Sequence, residues 1–298
     1  MSTNKTVLAI IASGLGTRMS ALTGNNFIPK LLVNIGKQTV LSKVLSTYKN
    51  DFAHVVIVCA NNTHADMIRC HIKSFDYENV SVIVHDKPDG SANACAAVIE
   101  YLNDTYHKSF NVVFHWSDVW CDVDMLPIDF NEHESIVALT SNDIDCRLHL
   151  LPKHDNAEST VLATYSDAET FYIEHDIISS GLIGIYYVPA EIMQHCYECL
   201  ANDSKRDFAD IMHSIANVRS VHVDNCHSCG DKASFIAEAV SHASENTVRY
   251  FNDIKFDNDS VTKTALNERG KSLIAKEQKW YSYATQAESA AIPEVYEY

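Results

Sequence analysis

The amino-acid sequence predicts an α/β fold: a mixed, mainly parallel sheet, followed by a small C-terminal α+β hairpin–helix unit. Three observations carry that expectation. Short, continuous apolar and β-branched runs alternate with helical patterns over the first two-thirds of the chain, as strands buried on both faces require. The first of these runs ends in a glycine-bearing loop. After about Ser244 the pattern changes to strand, turn, strand and one long helix.

Residues 7–12 form the first apolar run, and residues 40–48 after the loop repeat their apolar positions at helical spacing. Residues 55–59 read as a strand, 65–75 as a helix and 80–84 as the next strand. Residues 92–102 are helical, and 112–116 return to a strand. Runs at 136–140, 161–165, 170–173, 182–188 and 218–223 continue as strands, with a helical stretch at 191–200. Fewer helices separate these later strands. They predict an accessory β layer over the carboxyl ends of the first ones.

In the tail, residues 246–256, 257–259 and 260–264 read as strand, turn and strand, and 268–283 as a helix. The expected domains are therefore residues 1–244 and an appendage at 245–298. At about 50 residues the appendage falls below the size that usually sustains its own core. It is expected to pack on the main domain, on another copy, or on a domain outside this sequence.

The 298 residues include 46% hydrophobic ones, enough for a sizeable core. Lys and Arg number 23 against 39 Asp and Glu, a formal net charge of −16. That balance argues against a nucleic acid or a membrane as partner, because both select a basic face. No run approaches 18 uninterrupted apolar residues. Residues 1–6 are polar and lack a signal peptide's layout, so the expected location is cytoplasmic. The nine cysteines fit a reduced protein whose thiols serve as small apolar residues. Two Cys-x-x-Cys pairs, Cys196/Cys199 and Cys226/Cys229, are separated by 26 residues, more than a compact zinc ribbon usually has. Buried or incidental thiols are expected there.

The first loop carries the strongest chemical signal: Ala12-Ser13-Gly14-Leu15-Gly16-Thr17-Arg18, followed by Pro29-Lys30. Glycines at a strand's end let backbone N–H groups approach an anion without a Cβ in the way. Arg18 and Lys30 add two cations suited to a triphosphate. The loop lacks the third glycine of a dinucleotide fingerprint and the Gly-Lys-Ser/Thr of a P-loop. A nicotinamide enzyme and an ordinary ATPase are both disfavoured.

On these residues the chain resembles the sugar-phosphate nucleotidylyltransferases, whose signature is Gly-x-Gly-Thr-Arg, a gap, then Pro-Lys. The resemblance implies a Rossmann-like nucleotidyltransferase domain whose loop wraps an NTP through Ala12, Ser13, Gly14, Leu15, Gly16 and Thr17. Arg18 and Lys30 would be its catalytic cations. Gly90-Ser91-Ala92 is similar to the family's base-recognition turn, which makes Gly90 and Ser91 nucleotide contacts; Ser91 equally suits a helix cap. Ser117-Asp118 after the fourth strand resembles the family's metal aspartate, so Asp118 is the expected Mg²⁺ ligand.

The acceptor half departs from the family. Gly181 and Gly184 lie in a stretch resembling the glycine-bearing acceptor strand, but the family's Glu-Lys-Pro lysine is replaced around Glu174-His175. His175 is the alternative hydrogen-bond donor to the acceptor's phosphate. Ser228 stands where the family completes its metal site with an aspartate, in His227-Ser228-Cys229-Gly230-Asp231. Either Asp231 or Asp224 substitutes, or Asp118 and the phosphates hold the metal alone, or the enzyme is weakened.

The tail resembles the first lobe of choline-kinase-like or aminoglycoside-phosphotransferase-like domains, which are fused to nucleotidylyltransferases in some capsule and surface-polysaccharide proteins. Lys263 and Glu277 would be its lysine–glutamate pair. No kinase catalytic loop follows, so the unit implies a missing kinase domain or a homo-oligomer contact. The combined expectation is a Mg²⁺-dependent nucleotidylyltransferase. It would transfer NMP from an NTP, with CTP favoured, to a sugar phosphate or phosphocholine-like acceptor, releasing pyrophosphate. The alternative is a catalytically weakened nucleotide-binding or regulatory subunit.

Overall fold

In a computed structural model of the chain, the residues described are 6–14, 19, 28–48, 52–75, 77–85, 90–106, 110–121, 135–143, 148–153, 156–164, 180–202, 207–242, 248–249, 252–256 and 261–285. The chain divides into two compact units, Met1–Glu238 and Ala239–Tyr298.

The first unit is built on β1 (Thr6–Ala12), β4 (His54–Cys59), β5 (Val80–Val84) and β6 (Asn111–Trp116), all parallel in the order β5-β4-β1-β6. Alternate residues of β1 serve opposite faces. Val7, Ala9 and Ile11 join one buried cluster, and Leu8 and Ile10 join the other. This double burial is why the strand reads as one unbroken apolar run. Helices α1 (Val40–Thr47) and α2 (Asn62–Ser74) cover the second face through Leu41, Val44, Ile68 and Ile72. Helix α3 (Ser91–Tyr106), with α4 (Met193–Asn202) and α5 (Phe208–Ile215), covers the first through Cys95, Ile99, Cys196, Phe208 and Met212. Side-chain caps start two of the helices: Thr39 Oγ1 accepts from the Ser42 N–H, and Asn61 Oδ1 from that of His64.

The later strands do not form a separate layer among the described residues. Strands β8 (Ser135–Ser141), β9 (Leu148–Lys153), β10 (Asn156–Thr164), β11 (Ser180–Val188) and β12 (Asn217–His222) extend the main sheet to nine strands. β11 runs antiparallel to β6, β8 and β9 alike, so its own hydrogen bonds join both parts of the sheet. The expected strand at 170–173 lies outside the described residues. Strand β9 escapes sequence reading because it contains Pro152, which usually demotes a central strand. Pro152 pairs with Thr160 at the end of the continuous β9–β10 register, next to the point where that register shifts. A short hairpin, β2 (Asn34–Ile35) with β3 (Gln38–Thr39), leads into α1. A two-stranded ribbon pairs β7 (Val119–Cys121) with β13 (Cys226–Ser228), and α6 (Lys232–Ser241) follows it.

In the second unit, β14 (Val248–Arg249), β15 (Asn252–Phe256) and β16 (Val261–Ala265) form an antiparallel sheet, followed by α7 (Glu268–Thr285). Lys263 Nζ lies 2.6 Å from the Glu277 carboxylate. Among the described residues no helix is long and apolar enough to cross a membrane.

On the α1 side of the sheet, the His115 imidazole is fully buried against the Tyr48 ring, with centroids 5.5 Å apart. Among the described residues, neither ring nitrogen has a hydrogen-bond partner. Burial pushes its pKa down to about 4, opposed only in part by the Trp116 backbone and the Asp118 charge. The unfolded chain, titrating near 6.5, therefore binds a proton that the folded chain refuses between those values. Stability contributed by neutral His115 is complete above about pH 6.5 and is lost as the pH falls toward 4, by about 3 kcal/mol. Thermal unfolding should show a melting temperature about 5–10 °C lower at pH 4.5 than at pH 7 from this residue. His115→Leu should remove that part of the slope; an unchanged slope would exclude His115 as its source.

Candidate active site

Strand order reverses between β1 and β6. The chain moves outward from β1 through β4 and β5, then returns to β6 on the other side of β1. Ligand crevices in open α/β sheets form at the carboxyl ends of the strands at such a switch point. Ser13 and Gly14 follow β1 there, and Ser117 and Asp118 follow β6. The Ser117 N–H donates to the Ile11 carbonyl at 3.2 Å, tying the two strand ends together. Ser13 is buried and Gly14 exposed. Among the described residues, a side chain at Gly14 would meet nothing within 4 Å.

Lys30 arrives from the other side. Pro29, in extended backbone, starts the single 3₁₀ turn Lys30–Leu32, whose buried Leu31 anchors it in the α1-side core. From that anchor Lys30 Nζ reaches Asp118 Oδ2 at 2.8 Å, with 15% and 17% of the two side chains exposed. Eighty-eight residues separate the pair in sequence. Water is largely excluded, so each charge depends on the other.

The third side comes from β13. Its pairing with β7 sets Ser228 opposite Val119, and the Cys229 N–H then donates to the Asp118 carbonyl at 2.8 Å. A Cβ on Gly230 would lie 3.1 Å from Asp118 Oδ2 and 3.5 Å from Ser228 Oγ, so the glycine leaves room for the carboxylate. Ser228 Oγ accepts from the Gly230 N–H at 3.2 Å. Asp231 opens α6. Its Oδ1 accepts from the Ser234 N–H at 2.9 Å and caps α6. Burial, and next the Asp118 charge, push the Cys229 thiol up to about 12, leaving it protonated.

Gly90 and Ser91 open α3, with Gly90 at φ 130°. Ser91 Oγ donates to Asp207 Oδ1 at 3.1 Å and accepts from the Phe208 N–H at 2.9 Å, so Ser91 links the start of α3 to that of α5. Gly181 pairs with Ser141 and His149 toward the start of β11. Gly184 lies nearer the Asp118 turn, against Trp116, which also packs edge-on against Tyr186 and Phe208. Leu15, Gly16, Thr17, Arg18 and His175 lie outside the described residues.

Gly184 has a φ of +82°, and a Cβ there would fall 2.9 Å from Trp116 Cγ. Gly184→Ala is expected to cost about 2–4 kcal/mol, combining left-handed strain with overpacking. Chemical denaturation measures the loss, and a shifted tryptophan emission would report the displaced ring. Unchanged stability would show that β11 relaxes freely at this bulge.

The structure thus brings together Lys30, Asp118, Ser228 and Gly230, and places Ser13–Gly14 at the neighbouring strand end. Sequence reading did not foresee the β7–β13 ribbon that delivers residues 228–230, because three-residue strands carry no usable periodicity. Among the described residues no group of three or more His, Cys, Asp or Glu could hold a metal ion by itself.

Residues 8–141 match the family model described as Nucleotidyl transferase. No curated protein matches the chain. Several solved structures share its fold. A Bacillus anthracis protein assigned as a glucose-1-phosphate thymidylyltransferase, in complex with sucrose, has a TM-score of 0.63 at 15% identity, over 82% of this chain and 96% of that one. A nucleoside-diphosphate-sugar pyrophosphorylase from Vibrio cholerae has a TM-score of 0.59 at 11% identity, covering 78% and 99%. The UTP-bound UGPase of Acinetobacter baumannii has a TM-score of 0.54 at 15% identity, covering 81% and 94%.

Proposed function

We propose, because residues 8–141 match the Nucleotidyl transferase family model, that the chain transfers NMP from an NTP to a small phosphorylated acceptor with release of pyrophosphate. An acceptor phosphate oxygen attacks the α-phosphorus in line; the new O–P bond forms as the bond to the β-phosphate oxygen breaks. The protein's work is positioning and charge neutralisation. The observation that carries this reading is the Lys30–Asp118 pair, held 2.8 Å apart at the switch point between β1 and β6. Without substrate the two charges satisfy each other. Lys30 would then hold a phosphate and Asp118 the cation that accompanies it, so both charges would stay compensated.

A single carboxylate fits Mg²⁺, which is usually bound by one or two carboxylates together with substrate phosphates. Asp118 is the residue that would hold it. With its carboxylate capping α6, Asp231 is a weaker candidate than Asp118. When bound, the ion would neutralise charge on the phosphates. Arg18 would act beside Lys30. Ser13, Gly14 and the following loop would line the triphosphate, Gly90 and Ser91 the base, and Gly181, Gly184 and His175 the acceptor. A cytidylyl donor, a sugar phosphate or phosphocholine-like acceptor, and a role in surface-polysaccharide precursor synthesis follow the resemblance of residues 245–298 to phosphotransferase-fused relatives; a cytoplasmic location follows the reading of the cysteines as reduced thiols. Those residues are proposed as a partial kinase-lobe-like appendage.

The test is a thermal-shift screen with CTP, UTP, GTP and ATP, each with and without Mg²⁺, followed by pyrophosphate release over a panel of phosphorylated acceptors. Binding stabilises only the folded chain, so the preferred nucleotide should raise the melting temperature. Stabilisation by no nucleotide would sink the proposal. A second reading, a weakened nucleotide-binding subunit, is favoured by Ser228 standing beside Asp118. It predicts stabilisation without pyrophosphate release.

A further inference from the structure

The ribbon that delivers residues 228–230 to Asp118 contains a feature the proposed transfer does not use. Cys121 on β7 and Cys226 on β13 are directly opposed across the antiparallel pair. Their Sγ atoms lie 2.8 Å apart, and both residues are buried, at 2% and 4% exposure. Opposed residues in an antiparallel ribbon have Cα atoms about 4.5–5.5 Å apart, within the span a disulfide bridges. The remaining thiols among the described residues differ. Cys70 is exposed, Cys196 and Cys199 share α4, and Cys59, Cys95 and Cys229 are buried thiols whose pKa values burial pushes up. At Cys226 the direction reverses: its hydrogen bond with Cys121 favours the thiolate.

We propose that Cys121 and Cys226 are a disulfide-forming site that covalently fastens the β7–β13 ribbon beside Asp118. The oxidant is a low-molecular-weight disulfide, RSSR. The Cys226 thiolate attacks one sulfur, forming a mixed disulfide and releasing one RSH with a proton from solvent. Cys121 then attacks Cys226 Sγ, its proton leaving with the second RSH. Two protein thiols are oxidised and one small disulfide is reduced to two thiols. Both cysteines are buried, so reaction proceeds through opening of the ribbon, whose strands are only three residues each. The bridge fixes the strand that carries Ser228 and Gly230 to the one that begins beside Asp118. Ribbon opening is then no longer available to that side of the site.

The full chain is incubated with excess oxidised glutathione, denatured, alkylated and mapped by mass spectrometry. The expected product is one peptide pair linked through Cys121 and Cys226 and lighter by two hydrogens. The oxidised chain should melt about 5–15 °C higher than the reduced one, because the bridge closes a loop of about 100 residues. Cys121→Ser should abolish both effects and trap glutathione on Cys226. Cys226→Ser should leave neither a bridge nor a trapped adduct at the site. Modification confined to Cys70, or glutathione on Cys226 of the unsubstituted chain with no linked pair, would overturn the proposal. The readouts are mass and melting temperature, so failure of the transfer reaction would leave them unaffected.

Discussion

Asp118→Asn is expected to lower turnover by about 10²–10³-fold while leaving the fold intact. The substitution keeps the size of the side chain and an oxygen that can accept from Lys30 Nζ, so the turn after β6 and the Cys229 N–H to Asp118 carbonyl bond should persist. What it removes is the negative charge. In the proposed exchange that charge passes from Lys30 to the cation, and an amide cannot take up the cation in the same way. Lys30 is then left without an ionised partner at a position 15% exposed, and should grip the triphosphate at least as firmly as before. Nucleotide binding measured without metal should therefore survive, and the Mg²⁺ concentration giving half-maximal pyrophosphate release should rise. Full turnover with unchanged metal dependence would remove Asp118 from the chemistry.

The parts of the molecule legible in the sequence are those where one physical rule dominates. β1 reads clearly because both its faces are buried. Helix α2 reads clearly from Ala65 onward, but its first turn, Asn62–His64, is polar and is held by the Asn61 cap instead of an apolar stripe. α5 was legible in principle, with Asp207 before an amphipathic run, but it is only eight residues long. Ser228 and Asp231 show the limit in the site itself. Both lie in one short segment, and sequence alone offers Asp231 as a spare carboxylate for a metal. In the structure Asp231 Oδ1 caps α6, while Ser228 lies beside Asp118. The three-residue spacing from Asp231 to Ser234 carried the capping signal, since the Ser234 hydroxyl in turn accepts from the Asp231 N–H at 3.2 Å. The glycine loop and Lys30 were legible as chemistry but not as geometry. Their meeting with Asp118 depends on strand order, which local patterns do not encode.

Lys30→Ala tests the same exchange from the other side. Turnover should fall by about 10²–10³-fold, because the lost cation would stabilise charge on the phosphates as the bond to pyrophosphate breaks. Unlike Asp118→Asn, this change removes the lysine from a carboxylate only 17% exposed, and should cost about 1–3 kcal/mol of stability. Partial exposure keeps that figure below the cost of breaking a wholly buried pair. Nucleotide should bind more weakly with or without metal. Combining Lys30→Ala with Asp118→Asn removes both charges, so the double variant should regain most of the lost stability while turnover stays low. Such non-additivity is the mark of a coupled pair. If the stability losses simply add, the 2.8 Å contact is not an energetically coupled ion pair; if turnover survives loss of the lysine, the switch-point site does not carry the reaction.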